Sequence, residues 1–280
     1  MNLQGDVDQL FSDQIKTWPQ LRNAILQLDN VRTKHFSWGE DVRVTLQFNP
    51  ARIVSTGAKI DAGNIAKRPC FLCQDNRPEE QSGIPFLGKY IILCNPFPIL
   101  HKHLTIPLFS HVPQRVRRKV GDMLTLAESL PDYIVFYNGP EAGASAPDHF
   151  HLQAGLKSPV LLAGDNELRS CFVIESSSIE EAEERFEDVY QYLHGRQPEK
   201  EEPMLNVIAF TEEHKYVLHV FPRKAHRPRQ YFADGVKQLL VSPGALDMAG
   251  LLITVREEDF ENITKNDIED IYSQVSMPII

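Results

Sequence analysis

Residues 149–154 read His-Phe-His-Leu-Gln-Ala, a strict alternation of polar and apolar side chains. That is the period of a strand and not of a helix, and it puts His149, His151 and Gln153 on one face, with Phe150, Leu152 and Ala154 on the other. Just upstream, residues 133–137 are an apolar strand candidate. The intervening 138–148 is rich in Gly, Ala, Ser and Pro, the composition of a loop. The chain is thereby committed to a sheet that presents two imidazoles and an amide beside a loop of small residues.

The rest of the chain alternates between helical and extended signals. Residues 8–30 have helical apolar spacing, with Pro19 predicted to break or kink the helix. Val42–Phe48, Tyr90–Cys94 and 103–107 read as strands, with a turn at Asn95-Pro96-Phe97-Pro98. Residues 112–130 are predicted as a helix with a basic, solvated face at Arg115, Arg117, Arg118 and Lys119. Beyond Lys157, residues 171–175, 205–210 and 215–221 read as strands, and 178–194, 234–240 and 257–273 as helices. A faint internal echo joins residues 90–111 to 205–226, each running strand, turn, strand, Pro, His. Gly143-Ala144 follows the first copy and Gly244-Ala245 the second, with Asp247 and Met248 where the first copy has its His pair.

The formal net charge of -9 and pI of about 5.6 argue against general nucleic-acid binding, which wants a basic face. They leave room for a nucleotide, whose phosphates need only a few local donors and cations. The N-terminus lacks the basic start and apolar run of a signal peptide, and no apolar stretch is long enough to span a bilayer. A cytoplasmic protein with no membrane partner is the expectation.

Histidine changes protonation near neutral pH, ligates metals and acts as a nucleophile. With two on one face, one can ligate or orient while the other attacks, and Gln153 can donate to a phosphoryl oxygen. The 138–148 loop can bring backbone N–H groups and the Ser145 hydroxyl to a phosphate, and Asn138 can hold a carbonyl near the nucleophile. An H-x-H pair alone also marks surface strands and metal-site fragments. The pair, the amide and the loop, in this order and this close, favour a phosphate-directed active site.

Of the four cysteines, Cys94 and Cys171 lie in apolar runs and are expected in the core. Cys70-x-x-Cys73 is a metal half-site or a redox dithiol. A redox pair usually opens a helix in a βαβ setting, and none is visible. Zinc takes four ligands, and His101, His103, His111 and His149 are available. A Cys70, Cys73, His111, His149 set would tie the cysteine loop to the catalytic strand, with zinc as a structural cofactor. The alternative is an unliganded, reduced pair.

With these residues in view, the chain resembles the galactose-1-phosphate uridylyltransferase branch of the histidine-triad superfamily. Cys70-Phe71-Leu72-Cys73-x-x-Asn76-Arg77 is similar to that branch's zinc loop. Asn95-Pro96-Phe97 resembles its nucleoside-contact turn. The run from His103 through Pro107 to His111 resembles the strand leading to its third zinc ligand, and Asn138-Gly139 through Ser145 to Gln153 its active-site loop and strand. Gly143-Ala144-Ser145 is closer to the dinucleoside tetraphosphate and GDP-hexose phosphorylases of the same superfamily. The specific resemblance covers roughly residues 65–155. Beyond it, only Leu218-His219-Val220-Phe221-Pro222 is loosely comparable.

The resemblance implies an α+β fold of two histidine-triad-like halves, 1–157 and 158–280, packed as an intramolecular pseudo-dimer of antiparallel sheets with flanking helices. It implies His151 as a covalent nucleophile, with Gln153, Ser145 and Asn138 assisting and Asn95, Phe97, Arg77 and Gly143 contacting the nucleotide. The donor would be a nucleoside diphosphate sugar or dinucleoside polyphosphate, and the acceptor a phosphate or sugar phosphate. Histidine-triad hydrolases typically carry a third histidine where Gln153 stands. A glutamine cannot shuttle a proton to water, which favours transferase or phosphorylase chemistry. A nucleotide hydrolase and a non-catalytic, zinc-stabilised nucleotide-binding module are the rival readings. The basic stretch 222–229 offers phosphate contacts from the second half or a solvated loop.

Overall fold

The computed structural model describes residues 2–40, 42–57, 62–65, 67–157 and 168–279. Its strands are β1 (Arg32–Trp38), β2 (Val42–Phe48), β3 (Gly83–Phe86), β4 (Tyr90–Cys94), β5 (Leu104–Pro107), β6 (Tyr133–Asn138), β7 (His151–Leu156), β8 (Phe172–Ser176), β9 (Leu205–Glu212), β10 (Lys215–Pro222) and β11 (Leu251–Thr254). Eight form one sheet in the order β3-β4-β5-β7-β6-β9-β10-β8, every neighbouring pair antiparallel. A smaller sheet, β1-β2-β11, contains one parallel pair, β2 with β11. The architecture is the expected α+β one.

The period-two pattern sorts the large sheet into two faces. Tyr133, Val135 and Tyr137 of β6, Leu152 and Ala154 of β7, Leu205 and Val207 of β9 and Leu218 and Val220 of β10 share a core with the helices Leu3–Thr17, Pro19–Leu28, Val120–Ser129 and Ile179–Arg196. On the opposite face Ile134, Phe136, Ile208, Phe210 and Phe221 pack with Val44 and Leu46 of β2, all of β11's apolar residues and the C-terminal helix Lys265–Val275. His151 and Gln153 therefore point to the side covered by the smaller sheet. Cys94 lies in the first core and Cys171 in the second.

The sheet runs without a break from β6 to β9, through Val135↔Ala209, Phe136↔Ile208, Tyr137↔Val207 and Asn138↔Asn206. The expected 157/158 boundary falls at residues 158–167, which lie outside the described residues. Among the described residues no helix is long and apolar enough to cross a membrane.

Four expectations need correction. The helix predicted over 112–130 forms only at Val120–Ser129. Pro113 pushes residue 112 toward extended backbone, and the segment's polar groups bond to distant partners: Val112 O accepts from Phe150 N–H (2.7 Å), Gln114 N–H donates to Pro147 O (3.0 Å), and Val116 N–H donates to Glu202 (2.7 Å). Residues 234–240 hold only a single tight turn at Gly235–Lys237, because Val236 is fully exposed and no buried face supports a helix. Residues 257–273 split into Glu257–Asn262 and Lys265–Val275, where Thr264 and Asp267 form a capping box. Strand β7 starts at His151, and His149 belongs to the turn before it. The break at Pro19 follows expectation, with Pro19 opening its own helix.

Candidate active site

Beside Phe136, Ala245 and Leu246 the second core gives way to a cleft of about 620 Å³. Its floor is the polar row of the large sheet, Thr105, His151 and Gln153, with Phe136 and Leu93 beside them. One wall comes from the cysteine loop and the 138–148 loop, another from the second half, and a third from Trp18, Arg52 and Thr56.

His151 is buried, and its Nδ1 lies 2.9 Å from the carbonyl oxygen of His149. A carbonyl only accepts, so Nδ1 carries the proton and Nε2 keeps its lone pair. Burial, the main cause, holds the ring's pKa down at about 4. Gln153 is oriented by a second histidine. Ile99 N–H donates to His103 Nδ1 (3.1 Å), so His103 Nε2–H donates to Gln153 Oε1 (3.0 Å). The carbonyl end of Gln153 is thus occupied and its NH₂ is the end left for a ligand. Burial and the nearby Arg52 cation hold His103 at about 3, so this donor stays in place at neutral pH.

The small-residue loop is fixed by close backbone approach. Gly143 has φ +106, and a Cβ there would lie 3.0 Å from Gly244 Cα. The two glycines matched in the sequence echo are in contact. Asn138 Oδ1 accepts from Asn206 Nδ2 (2.9 Å) and from Ala245 N–H (2.7 Å), so its oxygen staples the loop to the second half. Ser145 lines the cleft, and its carbonyl accepts from Arg68 Nη2 (3.1 Å). At the far end, Asn95 spends its side chain on the turn: Oδ1 accepts from Phe97 N–H (2.8 Å) and Nδ2 donates to Thr105 (2.9 Å). Phe97 is left in the cleft wall with Pro96. Arg77 is not among the lining residues, although its neighbours Asn76 and Pro78 are.

Cys70, Cys73, His111 and His149 converge, with one ligand atom of each lying within 4.8 Å of the others. Cys70 Sγ is 3.3 Å and Cys73 Sγ 3.6 Å from His149 Nδ1, and Cys73 Sγ is 3.2 Å from His111 Nδ1. Zinc bonds of about 2.0–2.3 Å in a tetrahedron put donor atoms roughly 3.5 Å apart, so the set fits that ion. The outer contacts are those of a metal site: His149 Nε2 donates to Leu108 O (2.8 Å), and His111 Nε2 lies 3.4 Å from Asp148 Oδ2. His101 instead faces Asp29 at the surface, and His103 serves Gln153.

The second half contributes His226, Arg227, Ser242 and Asp247 to the cleft. Within the basic stretch, Arg223 is fully buried and donates to Asn206, Pro243 O, Ala225 O, His226 O and Val275 O, a structural anchor. Arg229 turns away to Asp270. Sequence reasoning passed over Arg52, Arg68, His103 as an orienter, Gln114 and Asp247. A His five residues after the turn ending at Pro98 and an Asp aligned with the histidine pair in the internal echo were signals for two of them. The others act through contacts far along the chain.

Residues 10–156 match the family model described as a domain of unknown function (DUF4922), and residues 169–278 match the GDPGP1-like C-terminal domain. No curated protein matches the chain at a significant level. Among solved structures, yeast Ap4A phosphorylase Apa2 is similar with a TM-score of 0.68 at 18% identity, covering 97% of each chain. The same enzyme in complex with AMP gives 0.64 at 18% identity, covering 97% of this chain and 96% of that one. In complex with Ap4A it gives 0.65 at 20%, covering 98% of each. With the first match spanning over half of its residues, the chain belongs to the DUF4922 family, and its fold is that of yeast Ap4A phosphorylase Apa2.

Proposed function

We propose that the chain is a nucleotidyltransferase or phosphorylase that carries a nucleoside monophosphate on His151. The observation that carries the reading is the pairing on the cleft floor. His151 has its proton fixed on Nδ1 by the His149 carbonyl, and Gln153 has its oxygen occupied by His103. One side chain offers a lone pair and the other offers hydrogen-bond donors, which is what attack on a phosphorus atom needs.

In this reading Nε2 of His151 forms a bond to the α-phosphorus of a dinucleoside polyphosphate or nucleoside diphosphate sugar. The phosphoanhydride bond breaks, and its electron pair leaves on the departing phosphate oxygen. A phosphate or sugar-phosphate oxygen then attacks the same phosphorus and returns the electron pair to Nε2. Gln153 donates to a nonbridging oxygen in both steps. Arg68, with Ser145 and the loop around Gly143, faces the same phosphates from one wall, and Arg52 and Arg227 face them from the others. Phe97 and Pro96, on the turn shaped by Asn95, receive the nucleoside. Zinc held by Cys70, Cys73, His111 and His149 supplies structural fixation, and its ligand His149 holds the carbonyl that sets the His151 proton. Residues 1–157 bear the nucleophile, and 158–280 complete the cleft.

Intact-protein mass spectrometry tests this. The protein is incubated without acceptor with diadenosine tetraphosphate, ADP-glucose, GDP-glucose and UDP-glucose in turn. The expected result is a gain of one nucleoside monophosphate, lost in His151→Ala. Steady release of nucleoside monophosphate without an adduct would make it a hydrolase. Binding with neither adduct nor turnover would make it a non-catalytic module.

A further inference from the structure

The pairing of β7 leaves the backbone of His151 in an unusual position. Its pairing with Pro107 of β5 is a non-hydrogen-bonded one, flanked by the Leu108 N–H to Phe150 O bond, so the N–H and C=O of His151 both point toward β6. There the β6–β7 ladder ends at Phe136↔Gln153, two residues short of His151, because Tyr137 and Asn138 continue with β9 alone. The two strands splay at the nucleophile, and its buried peptide groups need another partner.

That partner is the side chain of Gln114, which is fully buried. Its Oε1 accepts from His151 N–H at 2.8 Å. Its Nε2 donates to His151 O and to Asn138 O, both at 3.0 Å. A side-chain amide has the donor and acceptor of a peptide group, so Gln114 stands in for the missing strand residue and bridges the splayed ends of β6 and β7. Gln114 itself is held on both sides, by its own N–H to Pro147 O and by Val116 N–H to Glu202.

We infer that Gln114 is a positioning residue for His151, fixing the backbone from which the imidazole approaches the phosphorus. This rests on the proposed role of His151. No other amide can be substituted without changing reach or hydrogen-bond pattern. Gln114→Met keeps the volume and removes all three hydrogen bonds. Gln114→Glu keeps the acceptor for His151 N–H and turns repulsion on the two carbonyls.

The test compares the full-length wild type with both variants, using the best donor from the four above. Rapid-quench mass spectrometry gives the rate of adduct formation, and calorimetry gives the affinity for that donor's nucleoside monophosphate. A misplaced nucleophile costs on the order of 100-fold in rate. Gln114→Met is expected to lose about that factor while nucleotide affinity stays within about twofold, since ground-state binding does not use Gln114. Gln114→Glu is expected to fall between the two. A folded Gln114→Met that forms the adduct at the wild-type rate overturns the inference, as does a variant in which rate and affinity fall together. If Gln114→Met does not fold, Gln114→Glu decides by the same two readouts. Absence of any adduct on the wild type would sink the functional reading itself, and the positioning role with it. That outcome is distinct from a wild-type adduct that ignores Gln114.

Discussion

Gly143 concentrates two constraints in one position. Its φ of +106 disfavours any side chain, and a Cβ would press on the backbone of Gly244 at 3.0 Å. Gly88, at φ +66 with nothing within 4 Å, carries only the first constraint. Gly88→Ala is therefore expected to cost about 1–2 kcal/mol, the ordinary penalty of left-handed backbone for an L-residue. Gly143→Ala should cost more and reduce nucleotide binding as well, because the shifted loop lines the cleft. Urea unfolding of both variants, with calorimetry on the second, checks this; equal losses would deny the loop contact its importance. Of the site residues expected from the sequence, His151, Gln153, Ser145 and Gly143 line the cleft, and Cys70, Cys73, His111 and His149 converge. Gln114 was not among them, because its partners lie 24 and 37 residues away and nothing local marks it. The same holds for Arg68 and Arg52, whose place in the cleft wall is set by tertiary packing.

Elements with an apolar run or a clear alternation were legible, and short or largely polar elements were not. β2, β4, β6, β9 and β10 carry apolar runs or alternation that the sheet then buries. β1 is largely polar, with only Lys34, Phe36 and Trp38 half-buried on one face at the edge of its sheet, and β11 is a four-residue strand with three apolar residues, too short for periodicity to assign. The 111–119 segment misled because its basic residues mimic a helix face while Pro113 and long-range hydrogen bonds keep it extended. That segment delivers His111 to the cysteine loop, and the turn before β7 delivers His149. Asp148 joins the two, facing His111 Nε2 and accepting from Arg68 Nη2 (3.2 Å). Asp148→Asn is expected to weaken zinc binding about 10- to 100-fold, the usual cost of losing a metal ligand's outer partner. Competition with a chromophoric chelator measures it, and a chain with no bound zinc by elemental analysis would remove the metal from the picture.

Across the whole molecule, the halves are joined by the β6–β9 pairing and by Glu202. This buried carboxylate accepts from Tyr137 OH and from Val116 N–H, reaching from the second half to both elements that frame His151. Burial pushes its pKa up to about 7, against an ordinary 4.5. The folded state holds the proton more tightly than the unfolded one between those values. The associated stabilisation is complete below about 4.5 and is lost as pH rises through about 7. Wild-type unfolding free energy should therefore decline over that window relative to Glu202→Gln, which cannot titrate. Parallel profiles for the two proteins would show that Glu202 ionises as freely as in water.

The cleft gathers Arg52, Arg68 and Arg227 inside a chain whose net charge is -9. For an approaching polyphosphate the two facts act at different ranges. Far out, the molecule is an anion that turns other anions away; within about 8 Å, the Debye length at physiological ionic strength, the guanidinium groups dominate. Added salt should then divide its influence, easing arrival by screening the distant repulsion while loosening the grip at the cleft floor. Capture would be gated by collision orientation at the cleft mouth rather than by long-range steering.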